Sequence, residues 1–390
     1  MKYIERDITM KLAEYAKAFP VIYLTGPRQS GKSTLLKHAF PEYRHANLEE
    51  KDTREFAIAD PRGFLNTLET PAIIDEAQYA PELFSYIQTI VDERDESGMF
   101  LLSGSQDFLL MKNISQSLAG RVGILSLLPF SEHELILADN PADNTNEWLF
   151  SGQYPRQILH GISPRDFFPN YIKTYVERDV RLETGVQNID RFESFIRICA
   201  ANAGSPINLS QVGNAVNTDA RTIASWINIL EESYIVFRLK PYGKNQTMRY
   251  SKTPKLYFYD TGLLCSLLGL NAEGDLVLSD KRGVIFENAV IVEYYKRVYN
   301  EGGFPGDHAY FWRDSSYREK EIDFIIEQAN QLSLYEIKSS QTAKAKFADN
   351  LLRFERYADG VKCEKTVIYD GPRKAVLNGI LFVNRREVRY

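Results

Sequence analysis

Eight consecutive residues carry the most explicit chemistry in this chain. Gly26-Pro27-Arg28-Gln29-Ser30-Gly31-Lys32-Ser33, followed by Thr34, reads G-x-x-x-x-G-K-S. The glycines let the backbone curl so that its N–H groups face a phosphate chain. A helix starting here would add its positive end. Lys32 would reach the β- and γ-phosphates, and the Ser33 hydroxyl would bind Mg²⁺. The flanks fit. Val21-Ile22-Tyr23-Leu24 reads as a buried strand entering the loop, and Ser33-Thr34-Leu35-Leu36-Lys37 as a helix leaving it. The pattern predicts a nucleotide site, with ATP and Mg²⁺ as its occupants.

Such a site needs an acid on a second strand. Pro71-Ala72-Ile73-Ile74 is a short apolar run that ends in Asp75 and Glu76. Asp75 is placed to hold the Mg²⁺ shell, and Glu76 to orient or deprotonate the attacking water, a division that suits hydrolysis. A third strand, Met99-Phe100-Leu101-Leu102, ends in Ser103-Gly104-Ser105-Gln106. Ser105 is the expected contact to the γ-phosphate, with Ser103 and Gln106 as alternatives. Arg121, in Leu118-Ala119-Gly120-Arg121-Val122, is placed like an arginine finger, and a surface salt bridge is its alternative. A finger acting in trans would imply a homo-oligomer.

A second set of acids lies near the C-terminus. Glu321 to Glu327 and Gln331 to Lys338 read as strands joined at Ala329-Asn330 by a two-residue hairpin turn. In that register Gln328 opposes Gln331, and Asp323 faces Glu336. Lys338 lies on the same face as Glu336. Opposed carboxylates repel, and a divalent metal between them removes the conflict. Arg282-Gly283-Val284-Ile285-Phe286-Glu287 opens a helix that adds Glu287 as a further ligand or an outer base. Trp312-Arg313 precedes the hairpin. Trp312 either stacks on a polynucleotide or belongs to the core.

Between these sites, residues 138–165 are rich in Asn, Asp, Pro and Gly and read as loop. Residues 205–243 carry a helix-turn-helix pattern. Asn208 or Ser210 caps a helix over Gln211–Val216, Asn217-Thr218-Asp219 forms the turn, and Ile223, Trp226, Ile227 and Leu230 line the next helix. Tyr234 to Leu239 starts a wing. Arg221 is the sole cation on that second helix, so a lid over the nucleotide is favoured above base reading.

The chain has 390 residues, is 44% hydrophobic and 25% charged, and carries a net charge of -5. This is ordinary globular composition, with material for two or three domains, and it excludes a general polyanion-binding surface. Residues 281–390 carry 19 Lys/Arg against 16 Asp/Glu, and the remainder 28 against 36, so the C-terminal part approaches nucleic acid more easily. Cys199, Cys265 and Cys363 match no metal or redox spacing. No signal core or long apolar run occurs, so a cytoplasmic protein with no membrane partner is expected.

Together these motifs resemble the AAA+ ATPases. They are most similar to a family of predicted bacterial and archaeal ATPases with a C-terminal domain of unknown function. The resemblance rests on residues 26–33, Ile-Asp-Glu-Ala-Gln at 74–78, Leu-Ser-Gly-Ser-Gln at 102–106, Leu-Ala-Gly-Arg-Val at 118–122 and Leu-Pro-Phe-Ser at 128–131. The Asp323, Glu336, Lys338 layout resembles the PD-(D/E)XK nuclease fold, although Ile322 stands where that motif has its proline. The resemblance implies an α/β chain of three parts: an AAA+ core over 1–150, a winged-helix-like lid over 151–245, and a restriction-endonuclease-like domain over 246–390. It implies ATP hydrolysis and a Mg²⁺-dependent site for DNA or RNA. The alternative is a nucleotide switch whose last domain grips a partner without cutting it.

Overall fold

The computed structural model describes residues 3–104, 117–175, 180, 188–243, 253–314, 320–329, 331–354, 357–358 and 360–388. Its first sheet is wholly parallel, in the order β2 (Arg44–Asn47), β3 (Ala72–Asp75), β4 (Phe100–Ser103), β1 (Val21–Thr25), β5 (Val122–Ser126). Every residue of β1, β3 and β4 is buried, which is why these strands read as continuous apolar runs. Alternate side chains serve opposite cores. Val21 and Tyr23 join Phe64, Phe84 and Ile87 from α4 (Pro61–Leu68) and α5 (Leu83–Arg94). Ile22 and Leu24 meet Leu12 of α1 (Thr9–Ala18) and Leu35 and Leu36 of α2 (Lys32–Ala39). Helix α3 (Lys51–Ala59) packs on α4.

The stretch expected as loop is partly helical. After α6 (Glu132–Leu137), it holds α7 (Thr145–Ser151), α8 (Pro155–Leu159) and the first residues of α9 (Pro164–Tyr175). Asn140 and Pro141 do lie between helices, but other Asn and Pro residues of the stretch sit at helix starts. Asn144 caps α7, accepting from the Asn146 and Glu147 amides, and Pro155 opens α8.

After α10 (Ile189–Ala201), the helix-turn-helix region contains α11 (Leu209–Ala215) and α12 (Ala220–Glu232), with Asn208 and Asp219 as side-chain caps. Ile223, Trp226, Ile227 and Leu230 are buried. β6 (Val236–Pro241) and β7 (Lys255–Phe258) follow as an antiparallel pair. This pair continues into the second sheet, whose order is β12-β13-β11-β10-β9-β8-β6-β7. Its other strands are β8 (Ala309–Arg313), β9 (Glu321–Gln328), β10 (Gln331–Lys338), β11 (Lys362–Tyr369), β12 (Ala375–Leu377) and β13 (Ile380–Asn384). The boundary expected at 245 lies outside the described residues.

This C-terminal sheet is mixed. β8, β9 and β10 are antiparallel neighbours, and β10 runs parallel to β11. Helices α13 (Thr261–Leu267) and α14 (Glu273–Leu278) lead to the long α15 (Arg282–Asn300), which covers one face through Ile285, Phe286 and Ala289. Helix α16 (Asp349–Phe354) covers the other through Leu351 and Phe354. Trp312 packs against Phe354 with ring centroids 5.1 Å apart, so it is a core residue and does not stack on a polynucleotide. Cys199 and Cys265 are buried thiols and Cys363 is half-buried.

Arg6 locks the chain start to the nucleotide loop. Its guanidinium donates to Glu134 Oε1 at 3.0 Å, to the Ser30 carbonyl at 2.8 Å and to the Leu128 carbonyl at 2.7 Å. Glu134 is also half of the capping box with Ser131 that starts α6. Removing one partner of a buried pair leaves the other charge uncompensated. Arg6→Met should therefore lower unfolding free energy by about 3–5 kcal/mol in urea titration, and a change below about 1 kcal/mol would contradict the buried network.

Candidate nucleotide and acid sites

The P-loop leaves β1 at Gly26, whose φ is +143°. A Cβ there would lie 2.1 Å from the Leu127 carbonyl oxygen, so only glycine fits. Gly31, at φ +95°, turns the chain into α2. Lys32 is buried and its ammonium donates to the carbonyls of Gly26 at 2.9 Å and Pro27 at 3.0 Å. The lysine thus lies folded along the loop that a phosphate chain would enter. Beside it is a cavity of about 330 Å³ lined by Gln29, Gly31, Lys32, Ser33, Thr34 and Glu76.

β4 lies between β1 and β3, which sets Asp75 one strand away from the P-loop. Asp75 is buried and accepts a hydrogen bond from Ser103 at the tip of β4. Ser103, an alternative to Ser105, is the serine that reaches Asp75. Ser105 and Gln106 lie outside the described residues. Glu76 has a left-handed backbone, φ +53°, and reaches the same cavity as Lys32. The structure brings Lys32, Ser33 and Glu76 to one cavity.

Arg121 is not brought there. Its carbonyl bonds the Val21 amide, at the end of β1 remote from the P-loop, about 13 Å away at strand rise. Its guanidinium is paired with Asp92 of α5, with Nη2 2.9 Å from Oδ2. A finger contact within the chain is therefore corrected to an ion pair on the outer surface. Besides Lys32, Arg156 of α8 lines the nucleotide cavity, with Pro155 and His160. Sequence reading passed over it because residues 138–165 were assigned to loop. The signal was Pro155, a helix-opening residue that sets Arg156 in the first turn.

The C-terminal hairpin has the expected register, with Gln328 opposite Gln331 and Phe324 opposite Tyr335. Asp323 and Glu336 are the next residues on the two strands, just beyond this last pairing of Phe324 with Tyr335, and Asp323 turns its carboxylate to the Ile337 amide. Lys338 lies between the two acids, 3.0 Å from Asp323 Oδ2 and 2.7 Å from Glu336 Oε1. Asp323 also accepts from the Ile337 amide at 2.8 Å. Burial, then the Asp323 charge, push the Glu336 carboxyl up to about 8, against the pull of Lys338. Glu336 Oε2 is buried with no hydrogen-bond donor among the described residues.

Glu287 reaches this cluster from α15, but its Oε1 is held by Lys255 of β7 at 3.3 Å and by the Tyr257 hydroxyl. Burial raises its pKa. Lys255 also pairs with Glu321. Burial pulls the Lys255 ammonium down, yet Glu287, Glu321 and Asp323 together hold it above the ordinary lysine range. Glu287, Asp323 and Glu336 as a three-acid metal set is thus corrected. Glu287 is bound to a lysine and a tyrosine, and among the described residues no three His, Cys, Asp or Glu side chains are grouped to hold a metal ion. Lys255 and Glu321 are the members that sequence reading missed.

The parallel sheet, the strand order and the glycine-built loop define the first part of this chain as a P-loop ATPase domain. Comparison with known proteins agrees. The AAA domain family matches residues 18–136, and families described as domains of unknown function, DUF8612 and DUF4143, match residues 142–274 and 282–385. Residues 18–136 are an AAA-type ATPase domain, followed by a mixed-sheet domain of unassigned fold. An uncharacterized protein of Mycobacterium tuberculosis is 28% identical over 343 residues, covering 86% of this chain and 74% of the relative. An uncharacterized protein of Haemophilus influenzae is 23% identical over 391 residues, covering 90% of each. Among solved structures, the Walker-type ATPase PABY2304 of Pyrococcus abyssi has 17% identity and a TM-score of 0.44, covering 68% of this chain and 96% of that one. No described helix is long and apolar enough to cross a membrane.

The two arginines are separable by experiment. Arg156→Ala should weaken ATP binding about tenfold, as expected for losing one charge-assisted hydrogen bond of ~1.5 kcal/mol. Arg121→Ala should change ATP affinity by less than about twofold, the scale of an exposed ion pair. Titration calorimetry with a non-hydrolysable analogue checks both, and the reverse ranking would return Arg121 to the site.

Proposed function

We propose that the chain couples ATP hydrolysis at the P-loop to a second, metal-assisted site for phosphodiester cleavage in DNA or RNA. In the first site Lys32 would exchange the Gly26 and Pro27 carbonyls for the β- and γ-phosphates. The backbone from Gly26 through Ser30 would cradle them, with Pro27, Arg28 and Gln29 forming the loop's outer turn. Ser33 and Asp75 would hold Mg²⁺, which when bound neutralises the β- and γ-oxygens. Thr34 would close the first helical turn beneath the phosphates. Glu76 would orient the attacking water, and Arg156 and His160 would face the nucleotide from α8. Arg121 would serve another copy of the chain only by leaving Asp92.

The second half of the proposal is carried by Glu336 Oε2, a buried carboxylate oxygen with no donor among the described residues. With Asp323 it offers two hard oxygen donors, which suit Mg²⁺ or Mn²⁺ better than zinc. Such an ion, when bound, would supply Lewis-acid charge to the scissile phosphate. Lys338 would then turn toward the phosphate, and Glu287 would act from outside the ligand set. A restriction-endonuclease-like reading of the domain is supported by the antiparallel β8–β9–β10 run, the parallel β10–β11 pair and α15 across one face. Helices α10–α12 with β6–β7 support a winged-helix reading of the middle. The second reading, a nucleotide switch that binds its partner without cutting, is favoured by Lys338, which already neutralises Asp323 and Glu336.

Lys32→Ala should abolish ATP turnover, and wild-type turnover would remove the site assignment. Glu76→Gln should keep ATP affinity while slowing hydrolysis by about 10²-fold or more, the loss of a general base. For the second site, plasmid, single-stranded DNA and RNA are incubated with the full chain and Mn²⁺, with and without ATP. Cleavage that disappears in Asp323→Ala supports the first reading. Binding without cleavage selects the switch.

A further inference from the structure

We propose that Arg6 is a positioning residue for the nucleotide loop: by holding the Ser30 carbonyl it aims the Gly31 N–H at the phosphates. This deepens the ATP-binding reading of residues 26–33 and rests on it. Arg6 lies ahead of residues 18–136, the stretch that the AAA domain family matches, so this part of the site comes from outside the matched domain.

One peptide unit carries the geometry. The Ser30 carbonyl and the Gly31 N–H belong to the same trans peptide, so they point in opposite directions. Arg6 Nη1 donates to that carbonyl at 2.8 Å. The guanidinium also lies against Gly31, where a Cβ would stand 3.6 Å from Nη1. With the carbonyl held on the Arg6 side, the Gly31 N–H is turned to the other side. Gly31 lines the nucleotide cavity. Among the described residues its N–H has no hydrogen-bond acceptor, as an amide that serves an anion requires. Gly31 has a φ of +95°, and glycine by itself leaves this peptide free to rotate. Arg6 supplies the restraint.

Arg6 can do this because it is itself fixed. Its side chain is 4% exposed. Nη2 donates to the Leu128 carbonyl at 2.7 Å, Nε to Glu134 at 3.0 Å, and the guanidinium carbon lies 4.8 Å from the centre of the Phe130 ring. Its own carbonyl accepts from the Thr9 amide at 3.0 Å and the Thr9 hydroxyl at 2.6 Å. A planar guanidinium with its nitrogens on three separate partners has one orientation, and it passes that orientation to the Ser30 carbonyl. Glu134 has a different part. It neutralises Arg6 and accepts from the Asp7 and Ser131 amides, away from Ser30 and Gly31. Charge balance and loop aim are therefore separable.

The full-length wild type, Arg6→Met and the double variant Arg6→Met/Glu134→Met are compared in three ways: titration calorimetry with a non-hydrolysable ATP analogue, steady-state ATP turnover, and urea titration. Arg6→Met should weaken analogue binding about tenfold, the loss of one hydrogen bond to a charged phosphate. KM for ATP should rise by the same factor with kcat within about threefold, because ground state and transition state share this contact. The double variant removes both buried charges and strands neither. Its urea midpoint should return close to the wild-type value while the tenfold loss of affinity stays. Recovery of affinity together with stability overturns the proposal, since Arg6 would then act on folding alone. Affinity within about twofold of wild type in a folded Arg6→Met overturns it too. If Arg6→Met does not fold, the double variant decides. A wild type that binds no analogue overturns the nucleotide reading itself, and this inference with it.

Discussion

A buried cation must find carboxylates or carbonyls to face, and this chain places such cations at its internal joints. Arg6 ties the chain start to the P-loop and to the start of α6. Lys296, on α15, donates to the Phe130 carbonyl and pairs with Glu293, which joins the C-terminal helix to the loop after β5. Arg282, at the other end of that helix, pairs with Asp370 and bonds Asn146 of α7. Lys255 joins β7 to α15 and β9. Each contact needs partners from separate stretches of chain, so each specifies a single arrangement, and each would leave a stranded charge if the arrangement shifted.

Helix α15 gathers several of these contacts. Toward its N-terminus Glu287 enters the acid cluster, and Asn288 bonds both the amide and the carbonyl of Phe258 in β7. Two turns on, Lys296 and Glu293 touch the segment 130–132 next to the nucleotide domain, where Glu293 also accepts from the Glu132 amide. Glu132 in turn binds Arg386 from the end of the chain, at 2.7 Å. One rigid element thus contacts both the acid cluster and the border of the ATPase domain. Any displacement of α6 on nucleotide binding would press on the same helix that positions Glu287.

What could be read from the residues was local. The P-loop, Asp75 with Glu76, the hairpin register at Ala329 and the caps Asn208 and Asp219 depend on neighbours within a few positions, and their type and spacing carry the geometry. What could not be read depends on strand direction or on distant partners. Arg121 follows a glycine in a suggestive motif, but it precedes β5, and a parallel strand that starts beside Val21 starts far from the loop that follows Thr25. Lys255 is an unremarkable lysine in a Tyr- and Leu-rich run until folding brings Glu287 and Glu321 to it across more than thirty positions. Arg156 gains its place only because α8 folds over the P-loop.

Protein groups hold the proposed nucleotide site ready, with Lys32 resting on the Gly26 and Pro27 carbonyls that phosphate would replace. A crystal structure with Mg²⁺ and a non-hydrolysable ATP analogue tests it most directly. The triphosphate should be wrapped by residues 26–33, the Lys32 ammonium should move from Gly26 and Pro27 to the β- and γ-oxygens, and Arg156 should turn toward the nucleotide. An analogue bound elsewhere, or a Lys32 that keeps both carbonyl bonds with nucleotide present, would contradict it.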